Sequence, residues 1–401
     1  MDKMKQKTQS VAGLFSVGGY KEKKYEYYDY SLIAVIILLT CFGLVMLYST
    51  SAYISEVQFS DDMAYFKKQA VVSAVCIVAA VIISFFDYHL LIFVQFPLYF
   101  ISLASMVLVR TKVFGVESHG ARRWLKLGPI QFQPAEIAKI AVIICLSCLI
   151  VQIGKKISTK RGLVLLMGLG MVQGGSALIF TDNLSTALII CGITFGMVFI
   201  AHPDYKWFVI TVVVLVVLAV LIVWFVNTYM QDSTDFRIKR ILAWTNPEKY
   251  STDESYQTLQ ALYALGSGGM FGRGLGNSIQ KHGSVPEAQN DFIFSIICEE
   301  LGVVGGIVVL LLFTYLLYRL FFIARNAPDL FGSLLLCGIF IHISLQVILN
   351  VAVVLALLPN TGVTLPFIRY GGTSIMFLMG EMGIALSVAR RIKLKEPRAL
   401  L

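Results

Sequence analysis

The chain has 401 residues, of which 57% are hydrophobic and only 14% charged, with a formal net charge of +9. An ordinary soluble domain carries about a quarter charged residues. A water-surrounded globule is therefore excluded, and a membrane is the solvent that this composition suits.

A transmembrane helix needs ~20 largely apolar residues. Ten windows qualify, at residues 31–53, 66–86, 89–109, 135–153, 163–181, 183–202, 207–229, 291–318, 334–357 and 373–389. The predicted fold is an all-α integral membrane protein with about ten transmembrane helices and one large extracytoplasmic loop, residues 230–290, between the seventh and eighth spans. The first 30 residues are polar and lysine-rich and lead into a full-length span, so no cleavable signal is apparent and this tail is expected in the cytoplasm. An even number of spans through the membrane domain, 31–389, returns the basic tail 390–401 to the same side. Arg390, Arg391, Lys393, Lys395 and Arg398 there, with Lys155, Lys156, Lys160 and Arg161 after the fourth span, fit the positive-inside rule.

In chain order, the first chemistry-bearing stretch follows the third span. Residues 110–134 put Arg110, Lys112, Arg122, Arg123 and Lys126 on the expected outer side. A long loop crosses a membrane regardless of charge, so the placement is either incidental or an anion site. For such a site Arg122 and Arg123 are the candidates, since guanidinium groups hold phosphates through charge-assisted hydrogen bonds. The fourth span opens with Glu136 and Lys139, three residues apart. Ionisable groups at that depth are costly unless they meet a partner or a wet cavity, so they are either a functional pair or an intrahelical pair that supports packing.

The 230–290 stretch is too long for an idle connection and suggests a lid. It reads as an amphipathic helix from Tyr256 to Leu265, followed by glycines at 266, 268, 269, 272, 274 and 276. Ser284-Val285-Pro286-Glu287 then reads as a capping box opening the eighth span, which places Asp291 one helical turn beyond Glu287. Two carboxylates four residues apart share a helix face, and one of them can acquire the raised pKa of a general base. The plainer alternative gives Glu287 to capping and Asp291 to an ion pair with a loop arginine. Glu299, Glu300 and Glu381, deep in spans, are expected to organise helices. The seven cysteines all fall inside spans as small core residues, implying neither disulfides nor zinc. The scattered histidines give no metal site.

These motifs come in a familiar order. They are Tyr48-Ser49-Thr50-Ser51, Gly120-Ala121-Arg122-Arg123-Trp124, Gln133-Pro134-Ala135-Glu136-Ile137-Ala138-Lys139, Asn183-Leu184-Ser185-Thr186-Ala187 and Gly266-Ser267-Gly268-Gly269. Pro286-Glu287-Ala288-Gln289-Asn290-Asp291-Phe292, Glu299-Glu300-Leu301-Gly302, Pro359-Asn360-Thr361-Gly362 through Phe367, and Tyr370-Gly371-Gly372-Thr373-Ser374 follow. Over nearly its whole length the chain resembles the SEDS family (shape, elongation, division and sporulation). Gly276 to Lys281 and Thr364 to Phe367 look more like the FtsW and SpoVE branches than the RodA branch.

The resemblance implies a peptidoglycan glycosyltransferase. It would polymerise lipid II at the outer face of the bacterial cytoplasmic (inner) membrane, in cell division or sporulation. Its partners would be a class B penicillin-binding protein (a transpeptidase) and other division-complex membrane proteins, with no nucleic acid. The family's catalytic aspartate maps onto Asp291, and Arg122, Arg123, Glu136, Lys139, Glu287 and Arg369 form the expected substrate-binding set. No tightly bound cofactor is implied, and a divalent cation is left open. In two places the chain departs from the family pattern. Asn183 stands where an acidic residue is usual, with Asp182 one residue earlier, and Arg369 stands where serine is usual. Two other readings use the same features: a lipid II transporter, which would need a polar path reaching both faces, and a non-catalytic scaffold of the division complex.

Overall fold

The computed structural model describes residues 28–111, 113–118, 121–128, 130–231, 233, 235–247, 249, 255–281 and 289–392. Residues 1–27 and 393–401, and the segment that holds Ser284 and Glu287, lie outside the described residues. Among the described residues ten helices are long and apolar enough to cross a membrane. They are α1 (Tyr30–Phe59), α2 (Ala64–Phe85), α3 (Leu91–Val109), α4 (Pro134–Ile153), α5 (Lys160–Thr181), α6 (Leu184–Ala201), α7 (Lys206–Tyr229), α10 (Ile293–Asn326), α11 (Leu330–Val354) and α12 (Gly372–Ala389). Two shorter helices, α8 (Phe236–Thr245) and α9 (Tyr256–Gly268), lie between α7 and α10. The amphipathic reading of 256–265 thus holds, whereas α8 was not foreseen.

Helix ends follow local chemistry. Asp29 caps α1 by accepting from the Leu32 amide at 2.9 Å, and Asp329 caps α11 through Gly332 at 2.6 Å. Pro134 sits in the first turn of α4, where its missing N–H costs nothing. Where α5 meets α6, Asp182 takes a left-handed conformation (φ 48°) and Asn183 accepts from the Thr186 amide at 3.0 Å. Asparagine and aspartate are nearly equivalent as N-caps, which gives the asparagine at this position a sufficient structural role.

Small residues let the helices approach. A Cβ at Gly174 on α5 would stand 2.7 Å from Cys191 Sγ on α6, and one at Gly383 on α12 would stand 2.9 Å from the Ala80 carbonyl on α2. Helix α4 is the axis of the bundle, with Ala141 to Ile150 all buried, whereas α7 buries only Phe208 and Val226. Helix α7 therefore stands at the lipid boundary.

The structure corrects the expectation in three places. The chain is not purely helical, because β1 (Gly115–Ser118), β2 (Ala121–Leu127) and β3 (Ile130–Phe132) form an antiparallel sheet in order β1-β2-β3, which carries Arg122 and Arg123. The eighth span begins at Ile293 with Phe292 as its N-cap and Gln289 to Phe292 in turns, so Asp291 does not ride on a helix face; the expected capping box, Ser284 to Glu287, lies outside the described residues. That span is also broken at Gly302, where φ is 71°.

The break at Gly302 has a specific cause. The glycine-rich chain after α9 lies against the opened backbone, with Arg273 and Gly274 amides donating to the Glu299 and Glu300 carbonyls at 3.0 and 2.9 Å. In return Val303 and Val304 amides donate to Gly269 and Met270 carbonyls at 3.0 and 3.2 Å. The freed helical groups are thus repaired inside the protein, which is the condition for irregular backbone near membrane depth. A Cβ on Gly302 would collide with the Met270 carbonyl and the Gly272 amide, and one on Gly272 with the Glu300 carbonyl. The left-handed backbone alone costs an L-residue about 1–2 kcal/mol. Gly302→Ala should therefore lower the thermal unfolding midpoint of the detergent-solubilised chain and expose 269–281 to protease; an unchanged midpoint and digest would contradict this packing.

Candidate functional site

The site is organised by a segment that enters the bundle and leaves on the same side. After α11 the chain from Pro359 to Gly371 turns back, and Val363 to Ile368 are all buried. Its depth can be read from its partners. Asn350 Nδ2 on α11 donates to the Val363 carbonyl at 2.7 Å, and Gln346 Nε2, one turn deeper, donates to the Thr364 carbonyl at 3.1 Å. Gly43, about 20 Å along α1 from Tyr30 at ~1.5 Å per residue, lies so close that a Cβ there would stand 2.7 Å from the Phe367 carbonyl. The segment therefore reaches the middle of a ~30 Å hydrocarbon core. Phe367 itself has φ 63°, a strained conformation held by burial.

Two of the expected site residues, Asp291 and Arg369, lie on or against this segment. The Asp291 carboxylate lies beside Gly362, its Oδ2 being 3.3 Å from where a Cβ would stand. Its backbone carbonyl accepts from Asn350 at 2.8 Å, and the neighbouring Gln289 carbonyl accepts from the Tyr370 amide at 3.1 Å. One side chain, Asn350, thus ties both Asp291 and Val363. Arg369 folds back over its own segment, its Nη1 donating to Thr364 Oγ1 at 3.0 Å and its guanidinium lying against Gly371. Glu136 and Lys139 on α4 pair at 2.9 Å with side chains only 9% and 3% exposed.

The mouth of the segment is tied to its surroundings. Ser185, in the first turn of α6, donates to the Thr361 carbonyl. Arg240 on α8 donates to the Asn360 carbonyl at 3.1 Å, and Trp244 Nε1 to that of Ala356 at 2.8 Å. Arg122 and Arg123 have other neighbours. Arg122 lies 3.5 Å from Glu117 and reaches the Arg110 carbonyl at 3.4 Å, while Arg123 donates to the Asp182 carbonyl at 3.3 Å. The Asp182 carboxylate pairs with Arg110 at 3.4 Å. The sheet arginines thus border the α5–α6 turn, close in sequence to Ser185, rather than joining the Glu136–Lys139 pair.

The remaining buried acids hold structure, as expected. Glu299 accepts from Ser278 and from the Ile279 amide. Glu300 accepts from Ser49 on α1 at 2.6 Å and pairs with Lys281 at 3.1 Å, and Lys281 also donates to the Gly276 carbonyl at 2.6 Å. These bonds close the glycine-rich chain onto α1 and α10. Glu381 pairs with His342 at 2.9 Å in the core. Among the described residues no cluster of His, Cys, Asp or Glu is fit to hold a metal ion. Residues that sequence reasoning missed are Asn350 and Gln346, which fix the segment, and Lys281. A signal existed for the first two, because His342, Gln346 and Asn350 recur every fourth residue in an otherwise apolar span and so share one face.

A polytopic helical membrane protein with an acid and several cations set around a re-entrant segment at one end of the bundle is the class that fold and site define. The family model described as "Cell cycle protein" (FtsW/RodA/SpoVE) matches residues 29–394. The chain belongs to this family. It is 37% identical over 364 residues to stage V sporulation protein E of Bacillus subtilis, covering 90% of this chain and 97% of that one. It is 35% identical over 371 residues to the "Probable peptidoglycan glycosyltransferase FtsW" of Trichlorobacter lovleyi, covering 92% and 94%. Among solved structures, one described as "Structural coordination of polymerization and crosslinking by a peptidoglycan synthase complex" superposes with a TM-score of 0.75 at 27% identity, covering 91% of this chain and 98% of that one. Thermus thermophilus RodA superposes with a TM-score of 0.65 at 26% identity, covering 92% and 98%.

Proposed function

We propose that the chain is a peptidoglycan glycosyltransferase that polymerises lipid II into glycan strands at the outer face of the bacterial cytoplasmic membrane. The observation that carries the reading is the meeting of Asp291 and Arg369 at one re-entrant segment, with the buried Glu136–Lys139 pair on α4, in a member of this family. Glycan extension needs a sugar hydroxyl to attack an anomeric carbon while a lipid pyrophosphate departs. Asp291 takes the hydroxyl proton as general base. Arg369 and Lys139 offset the charge that develops on the pyrophosphate, in a site where water is scarce and such charges act strongly. Glu136 orients Lys139, and Arg122 and Arg123 on the sheet hold the pyrophosphate-bearing head as it approaches.

In this reading both tails are cytoplasmic, residues 31–389 form one membrane domain, and 230–290 is extracytoplasmic. The similarity to sporulation and FtsW proteins favours a role in division or sporulation, and the similarity to a synthase complex favours a class B penicillin-binding protein as partner. The test is to purify the chain with and without that partner and follow glycan length from lipid II. Polymer is expected at least in the complex, and none from either preparation would sink the reading.

The sheet arginines give a separate prediction. Replacing Arg122 and Arg123 together by alanine should weaken lipid II binding, and more at low salt than at 1 M, where the Debye length shrinks to about 3 Å. Equal binding by both proteins at low salt would remove the sheet from the site.

A further inference from the structure

The glycine-rich chain between α9 and the site carries large apolar side chains that the protein leaves uncovered. Phe271 is 83% exposed, Met270 62% and Leu275 53%. Monomeric proteins rarely leave clustered side chains of this kind in water. Their height is fixed by the backbone pairing described above, because the Met270 carbonyl accepts from the Val304 amide and the Arg273 amide donates to the Glu299 carbonyl. The part of α10 beyond its break, Val303 to Asn326, is about 36 Å long at ~1.5 Å per residue, enough by itself to cross a ~30 Å hydrocarbon core. Val303 and Val304 therefore stand at one edge of that core, and Met270 and Phe271 stand beside them.

The apolar surface is continuous there. Val303, Val304, Ile307, Val308 and Leu311 are all exposed on α10, forming a face whose solvent is lipid. Met270 and Phe271 extend that face sideways at its upper edge. Arg273, two residues on, is exposed, and its Nε reaches back to the Ser267 carbonyl at 3.3 Å. A cation just above apolar side chains suits the phosphate layer of a bilayer.

The geometry points to an interfacial anchor: Met270, Phe271 and Leu275 insert into the leaflet at the Ile293 end of α10, with Arg273 among the lipid phosphates. The anchor ties the glycine-rich chain to bilayer depth. Through Lys281, clasped by Glu300 and Ser49, it also fixes where the chain leading to Asp291 begins. A lipid-linked substrate presents its head at a set height above the membrane, and an anchor of this kind would keep the site at that height.

The test reads position rather than activity, so it is independent of the reaction proposed above. The full chain carrying Phe271→Cys is labelled with an environment-sensitive maleimide and reconstituted in phosphatidylcholine–phosphatidylglycerol vesicles. The background chain has Cys41, Cys191 and Cys337 replaced by alanine, because these three of its seven free cysteines are not buried and would also take the maleimide, and that background serves as the blank. The label should emit in the blue-shifted range and be quenched several-fold more by shallow doxyl lipids than by aqueous iodide. A label at Asn277→Cys, an exposed polar position of the same chain, should show the reverse. If Phe271→Cys does not fold, Leu275→Cys takes its place with the same expectation. A label at 271 quenched by iodide as strongly as that at 277 would place the patch in water and overturn the anchor. A label shielded from both quenchers would place it against protein, a second copy or a partner, and overturn it equally.

Discussion

Asp291→Asn is expected to leave the chain folded, membrane-inserted and able to bind lipid II, while polymerisation falls by the ~10²–10⁴-fold typical of losing acid–base catalysis. The substitution isolates chemistry from structure for a reason visible in the fold. Main-chain bonds hold position 291: its carbonyl accepts from Asn350, and the adjoining Gln289 carbonyl accepts from Tyr370. Asparagine keeps those bonds and the side-chain volume beside Gly362, and loses the negative charge and with it the capacity to take a proton. The measurement is glycan length from lipid II at equal amounts of reconstituted protein, with binding measured in parallel. Near-normal polymer from Asp291→Asn would show that another group takes the proton, and Glu136 would be the next carboxylate to test.

Lys139→Met should be the most damaging single change to stability. Glu136 and Lys139 lie on successive turns of the most buried helix, and removing the cation leaves a carboxylate with little water to solvate it. Breaking one side of a buried pair typically costs about 3–5 kcal/mol, whereas replacing both partners by neutral groups of similar size is often tolerated. The double variant Glu136→Gln/Lys139→Met should therefore recover most of the thermal midpoint lost in Lys139→Met. It should not recover polymerisation, because a charge facing the pyrophosphate would still be missing. If the double variant regains both stability and activity, the pair only supports packing.

How much of this was legible beforehand differs from residue to residue. Glu136 and Lys139 were visible as charges in an apolar window, and the structure finds them paired as their spacing demanded. Asp291 was visible too, but the helical argument for it was wrong. The periodicity and capping pattern of 284–291 suggested that the eighth span starts early, whereas the helix opens only at Ile293 and Asp291 sits in a turn bonded by Asn350. Local pattern cannot register such a distant tie. Arg122 and Arg123 were read as lying in a long outer loop, but short strands with charged faces give little hydrophobic signal, so the small sheet that carries them went unseen.

What the sequence by itself determined is the membrane class, the ten spans and the inventory of ionisable groups. Burial in lipid demands long uninterrupted apolar runs, and each charge that interrupts one is conspicuous. Only the tertiary structure decided that Pro359 to Gly371 re-enters the bundle, that α10 breaks at Gly302, and that Arg122 and Arg123 turn to other partners than the Glu136–Lys139 pair. In both irregular segments the backbone polar groups are satisfied by partners far away in sequence, Asn350 and Gln346 for one and the glycine-rich chain for the other. Inside a membrane an unpaired backbone group costs too much to persist, so those remote partners, rather than the local residues, fix the path of the chain through the site.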